Sequence, residues 1–489
     1  NLSTEQLVGL NGGAFNNGMQ VMAWEVWSSI AIVLMALVFL PRYLKGGVAT
    51  VSAFLERRYS KAVGTAVSVM LLLSLLTNLL PFVLYSGALF MLKVFDVPSM
   101  FGGNETVALW MTVIALGLVG SAYAIFGGLK AVAVSDTVNG VGLLIGGLLI
   151  PVLGLIALGN EMGSGGLGGG LSYLVENNPE RLSPIGAEDE NIPFSTLFTG
   201  MLFIVTYYWC TNQAIVQRTF ASRSLAEGQK GVLFAAAMKL LGPLYLVLPG
   251  IIAWHLFGAA TDGDNAYGTL VDKVLPGPLL GFFAAVIFGA ILSSFNSSLN
   301  SAATLFSIDI YKGLINKGAS DGQMVRVGKV FGIVIAVGAI LLAPWIDQFK
   351  GAGLFDLMKN LAALYNIPLL VVVVLGIFHK RVTSEGALAA IVIGFCFYGY
   401  FGLMRKIPDS DFCDFFGARL HWLHIAGINF VLLSVVMCVL AAVRPRPEPY
   451  EQSYTEEVDI TPWRGALPCG IGILVLIALM YALMSRFGA

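Results

Sequence analysis

The chain has 489 residues, 57% of them hydrophobic and 12% charged, with 57 glycines, against roughly 25% charge and about 7% Gly in a soluble domain. That leaves too little charge to cover a water-exposed surface of this size, whereas a bilayer tolerates apolar surface and favours Gly at close helix contacts. An ordinary soluble enzyme is excluded and a polytopic membrane protein, with the lipid bilayer as its partner, is expected. The net charge of -1, with no block of like charges, removes the electrostatic footprint that nucleic acid would require.

From the start, Asn1 to Gly18 is too polar for a full span yet runs straight into one, which reads as a chain beginning part-way through its first, broken helix. It carries neither the n-region nor the h-region of a signal peptide. Apolar stretches of about 20 residues, enough to cross about 30 Å of hydrocarbon, follow near 19–40, 64–92, 107–126, 131–158, 195–216, 231–258, 278–306, 325–345, 354–378, 386–404, 422–443 and 466–485. None alternates with period two, so an all-α protein is expected, not a barrel. Of the 28 Lys and Arg residues, 18 fall in one set of alternate loops and 8 in the other, which makes the richer set cytoplasmic. Lys239 and Lys359 remain, in or beside spans. The acidic segment from Gly159 to Pro193 is then an outer loop. Its Gly163, Gly165 and Gly168 match G-x-G-x-x-G without a preceding strand and read as a flexible linker.

Ser3-Thr4-Glu5-Gln6-Leu7-Val8 echoes Cys210-Thr211-Asn212-Gln213-Ala214-Ile215. Both interrupt otherwise apolar helices at corresponding places of two five-helix blocks, Asn1 to Leu158 and Pro193 to Phe378. An odd helix count per block inverts the two, and such inverted repeats with broken first helices characterise many secondary transporters.

Intramembrane charges cost at least about 2.5 kcal/mol each on insertion scales, so they are functional candidates. Glu5, with Gln6, Asn1 and Ser3, reads either as an exposed tail or as an unwound half-helix facing a midplane cavity. Glu25, beside Trp24, is either solvated at the boundary or part of a sugar site, where a ring face packs on the aromatic and hydroxyls donate to the acid. Lys239 either snorkels to the interface or pairs with Glu5 or Glu25. Asp136 faces cytoplasmic water or lends potential to an ion site. Ser293, Ser297, Asn300 and Ser301 form one helical stripe; hydroxyls of this kind, with carbonyls freed by a broken helix, suit Na+. His421 and His424 lack a third metal ligand nearby. The five cysteines, Cys210, Cys396, Cys413, Cys438 and Cys469, form no C-x-x-C pair, so no disulfide framework or zinc site is expected.

Asn1-Leu-Ser-Thr-Glu-Gln6, Ala23-Trp-Glu25, Phe54-Leu-Glu-Arg-Arg-Tyr59, Tyr208-Trp209, Gln217-Arg218, Phe234 to Pro249 and Ser293 to Lys312 together resemble the sodium/solute symporter family, in particular its bacterial sodium/galactose branch. The resemblance implies an inner-membrane, multi-pass protein of the inverted five-helix-repeat (LeuT-like) fold, with a transport core over 1–378 and peripheral helices over 379–489. It places a substrate site on Asn1, Ser3, Glu5, Gln6, Glu25, Asn78, Lys239 and Asn360, with Trp24 as outer gate and Tyr208 as inner stacking aromatic. It places Na+ on the backbone oxygens of Leu2 and Ala290 and the hydroxyls of Ser293 and Ser294, with Asp136 nearby. Three positions depart from the family pattern: the third-helix asparagine falls one residue off, at Asn78, another asparagine is replaced by Val205, and the tenth-helix glutamine becomes Asn360.

The expected function is Na+ symport of a small polar solute, a monosaccharide such as galactose or glucose, with no organic cofactor and no enzymatic chemistry. Rival cargoes are an amino acid, sialic acid or a carboxylate. An anion would call for an unpaired arginine at mid-span, and no span centre contains one. A membrane sensor is a further rival, but the longest cytoplasmic stretch, Arg444 to Arg464, leaves little room for an output domain.

Overall fold

The computed structural model describes residues 3–349, 353–403 and 420–488, apart from the side chains of 125–136, 259 and 488. The twelve expected stretches appear as ten helices long and apolar enough to cross a membrane, one pair bent by 45° at its break, and the shorter helix Gly200–Cys210. In chain order, helix α1 is Thr4–Asn17 and α2 begins with Ala23–Leu34, continuing through a π-helical turn, Met35–Phe39, into Leu40–Gly46. Next come α3 (Lys61–Val94), then α4 (Glu105–Ala124) and α5 (Thr137–Glu161), the two apolar parts of one continuous helix, Glu105–Glu161, and the halves α6 (Gly200–Cys210) and α7 (Gln213–Phe220). The bent pair is α8 (Leu225–Lys239) and α9 (Pro243–Phe257). Then follow α10 (Gly277–Ile315), α11 (Asp321–Phe349), α12 (Leu354–Phe378), α13 (Ser384–Leu403), α14 (Trp422–Val443) and α15 (Ala466–Phe487).

The 14 residues of α1 rise about 21 Å at 1.5 Å each, less than a full crossing. Its C-cap, Gly18, has φ 72°, a backbone conformation that Gly adopts without penalty. A tight helical turn, Gly18–Met22, then leads into α2. At the other break, Thr211 and Asn212 leave the helical path between α6 and α7, and the Asn212 side chain accepts from the Ala214 N–H to start the next helix. Asn, Ser and Thr favour such caps because their side chains compete for backbone hydrogen bonds. The interruptions expected near residues 1–6 and 210–213 are therefore helix boundaries. One detail differs: Glu5 and Gln6 lie in the first helical turn of α1, and the extended backbone is at Ser3 (φ -153°, ψ 179°).

The core helices lie close where small residues face one another. A Cβ on Gly87 of α3 would come within 2.9 Å of the Ile291 side chain of α10, so that contact depends on the missing methyl. At the cytoplasmic end, Asp309 of α10 is buried and accepts from Thr50 (3.3 Å), Ser68 of α3 (2.7 Å) and Ser52. Charge-assisted bonds of this kind are roughly twice as strong as neutral ones, and they join three segments distant in sequence. The outer loop is more structured than a flexible linker: Gly166–Glu176 is a helix, and Arg181 donates to the Phe15 carbonyl at 2.9 Å.

Candidate functional site: three cavities in series

Three cavities run through the helices. The outer one, about 200 Å³, is walled by Asn16, Asn17, Asn191, Asp264, Trp24 and Phe355. The central one, about 50 Å³, shares Trp24 and Phe355 with it and is lined further by Gln6, Glu25, Asn78 and Lys359. The inner one, about 610 Å³, shares Tyr208, Trp209 and Lys239 with the central one and reaches Arg218 and Glu227, on the side that the cation bias makes cytoplasmic. At about 50 Å³ the centre has room for a few waters, so a larger guest enters only if a shared side chain moves.

The outer partition is aromatic. Trp24, 3% exposed, meets Phe355 edge-on with centroids 5.6 Å apart and stacks on Trp422 at 6.2 Å and 17°. These rings come from α2, α12 and α14, so closing this side ties three helices together. Outside them, Asn191 donates to Asp356 at 2.7 Å, and the Arg181 guanidinium lies 3.7 Å from the Trp254 ring centroid. Burial lowers the Arg181 pKa from its ordinary value, opposed by the charge of Glu180.

The central polar groups named above come from five helices, α1, α2, α3, α8 and α12. Glu25 Oε2 of α2 accepts from Lys239 Nζ of α8 at 2.5 Å, both side chains being buried. Of the two partners open to Lys239 on the sequence, Glu25 is the one it meets. A buried ion pair of this kind is costly to break by removing one partner, about 3–5 kcal/mol. Lys239 also stands 5.2 Å from the Trp209 ring centroid. Asn78 sits in a π-helical turn, Leu75–Leu79, a local widening common at functional sites. Its Oδ1 and the Oε1 of Gln6 are buried without a hydrogen-bond partner among the described residues.

Of the remaining expected site residues, Ser3 and Glu5 are buried, with Glu5 on the wall of the inner cavity. Ala290, Ser293 and Ser294 of α10 line that same cavity, together with Tyr208. The stripe continues through Ser297, whose hydroxyl donates to the Ser293 carbonyl at 2.8 Å and accepts from Arg218 at 2.6 Å. Asn360 lines none of the three cavities; its Oδ1 accepts from Tyr398 at 2.8 Å. Asn1, Leu2 and the Asp136 side chain lie outside the described residues.

Four side chains lining or flanking these cavities were given no site role from sequence: Lys359, Phe355, Trp209 and Trp422. Lys359 carried a signal, a charge within an apolar run. Trp422 carried none, because its stack on Trp24 joins elements about 400 residues apart.

The model of the sodium:solute symporter family matches residues 1–394. An uncharacterized symporter, YidK, of Escherichia coli (strain K12) is 45% identical over 100% of this chain and 83% of its own length. The sodium/glucose cotransporter of Vibrio parahaemolyticus is 29% identical over 99% of this chain and 88% of its own. Among solved structures, a Na+-coupled sialic acid symporter in a substrate-bound outward-open state superposes with TM-score 0.73 at 21% identity, covering 92% of this chain and 88% of that one. At that identity the likeness shows the shared fold, the all-α, inverted-repeat LeuT-like architecture. The chain belongs to the sodium:solute symporter family: it is a multi-pass membrane protein and a Na+-coupled secondary transporter of a small solute, not an enzyme.

Proposed function

We propose that the protein moves Na+ down its gradient together with a monosaccharide-sized polyhydroxyl solute, by alternating access through the three cavities. The observation that carries this reading is the central cavity itself. Aromatic rings face a carboxylate–ammonium pair and two amides there, the mix of apolar face and oriented donors and acceptors that a sugar ring needs. Its inner partition is continuous with the wall bearing Ala290, Ser293 and Ser294.

Ala290 would offer Na+ a backbone oxygen, and Ser293 and Ser294 hydroxyl oxygens, beside the N-terminal turn of α1. A cation held there draws α1 toward α10 and positions Gln6 for the cargo. The coupling is reciprocal, so cargo also tightens the hold on Na+. With one Na+ per neutral solute, about 100 mV supplies about 2.3 kcal/mol and a tenfold gradient about 1.4 kcal/mol, enough for roughly 500-fold accumulation. The wide inner cavity and packed outer partition fit the cytoplasm-facing stage of such a cycle.

Uptake of radiolabelled D-galactose and D-glucose into proteoliposomes, with and without an inward Na+ gradient, tests the reading. Uptake should require the gradient in the parent and need a tenfold or more higher Na+ concentration in Ser294→Ala. Uptake indifferent to Na+, or an unchanged Ser294→Ala variant, overturns it.

A further inference from the structure

The charges lining the central cavity do not cancel. Its wall holds one carboxylate, Glu25, and two ammonium groups, Lys239 and Lys359. Glu25 is engaged by Lys239 at 2.5 Å. Among the described residues, no carboxylate comes within the 4.0 Å of an ion pair with Lys359, and its ammonium donates no hydrogen bond. Its surroundings are ring faces: Phe355 at 4.7 Å, Tyr208 at 5.0 Å and Trp24 at 5.6 Å from their centroids.

Aromatic faces attract a cation through their quadrupole, but they accept none of an ammonium's three N–H donors in a strong bond. A cation so placed is held in position and left short of an oxyanion. The same rings form the partitions on both sides of the centre, so Lys359 stands where cargo must pass. Glu5 belongs to the inner cavity wall and not to the central one; its carboxylate and that of Glu25 act on Lys359 through space but neither forms an ion pair with it.

Resting on the proposed symport of a sugar-sized solute, we propose that the cargo is an acidic monosaccharide, a polyhydroxyl body bearing one oxyanion, and that Lys359 is the residue that selects it. The oxyanion, a carboxylate or a sulfate ester, takes the Lys359 ammonium, while hydroxyls meet the Glu25–Lys239 pair and the free amide oxygens of Gln6 and Asn78. The mid-span cation that an anionic cargo requires is thus a lysine and not an arginine.

Binding to the purified full chain in Na+ is measured for D-glucose and D-galactose, their uronates and their 6-sulfates, with uptake of the same six sugars into proteoliposomes. At least one acid should bind ten times or more tightly than its neutral parent, and the group it carries identifies the oxyanion. Lys359→Gln should erase that preference, bringing the Kd values of the acid and of its neutral parent, both measured in the variant, to within about twofold of each other, and Lys359→Arg should keep it. Equal binding of neutral and acidic sugars, no binding of any acid, or a preference that survives Lys359→Gln overturns the assignment. Uptake of neutral sugars that follows Na+, with no gain for acids, overturns it and leaves the symport reading standing. Acid-selective uptake that depends on Lys359 but ignores Na+ overturns the symport reading and leaves the selectivity assignment standing.

Discussion

On its outer side the central cavity ends at Trp24, held between Phe355 and Trp422. On its inner side it ends at Tyr208, Trp209 and Lys239, beyond which about 610 Å³ lies open between α7, α8 and α10. The outer seal is interdigitated apolar surface, reinforced by loop contacts such as Asn191 to Asp356. The inner boundary is a single layer of amphipathic side chains, one of them an ion-paired lysine. Apolar packing closes over whatever lies beneath it and rewards tightness, whereas a polar layer is sensitive to charge and to what occupies the centre. The outer seal therefore sets how stable this conformation is, and the inner layer what is allowed to leave it.

The largest break in that contrast comes from splitting the central pair. Glu25→Ala leaves Lys239 buried and unpaired, and should lower stability by about 3–5 kcal/mol and abolish uptake. Thermal unfolding in detergent reads the loss, and the Glu25→Ala, Lys239→Ala double variant should recover part of it. A double variant no more stable than the single one would remove the pair from the account. Trp24→Ala should act on the outer seal instead. Losing two ring contacts worth about 0.5–1.5 kcal/mol each should make the outward-open state about five- to 150-fold more populated. Labelling of Gln6→Cys by an impermeant thiol reagent from the outer face should rise accordingly over the background of native thiols; unchanged labelling would place the seal elsewhere.

On the inner wall, Ser294→Ala should raise the Na+ concentration for half-maximal uptake by tenfold or more, about 1.4 kcal/mol, with little effect on unfolding. A large fall in stability would make Ser294 a packing residue. The smallest effect is expected at the loop: Arg181→Gln loses a partly solvated bond to Phe15 and its ring contact, about 1 kcal/mol, and should raise outside labelling of Gln6→Cys a few-fold. No rise would exclude the loop from the closure.

Composition and hydropathy made the fold legible, because a bilayer leaves few ways to satisfy a backbone. Both helix breaks showed as polar interruptions. Glu25 and Lys239 stood out because charge in an apolar run is expensive, although the identity of the partner needed tertiary structure. The α12 residues show the limit. Consecutive helical residues point about 100° apart, so choosing Asn360 over Lys359 swaps a side chain bonded to Tyr398 for one lining the cavity. Reading one position off on a helix is enough to miss a cavity-lining residue. Trp422 was invisible for another reason: a ring at the start of a span reads the same whether it faces lipid headgroups or another tryptophan.

The buried carboxylate of Asp309 has a mechanical consequence. By taking hydroxyls from Thr50, Ser52 and Ser68, it rivets the cytoplasmic end of α10 to α3 and to the short helix Val51–Arg58 before it. The helix carrying Ser293 and Ser294 thus travels with them as one lever arm. Any swing that narrows the inner cavity is left to α7 and α8 on the opposite wall, and the Arg218 to Ser297 bond is the clasp at which the two arms meet.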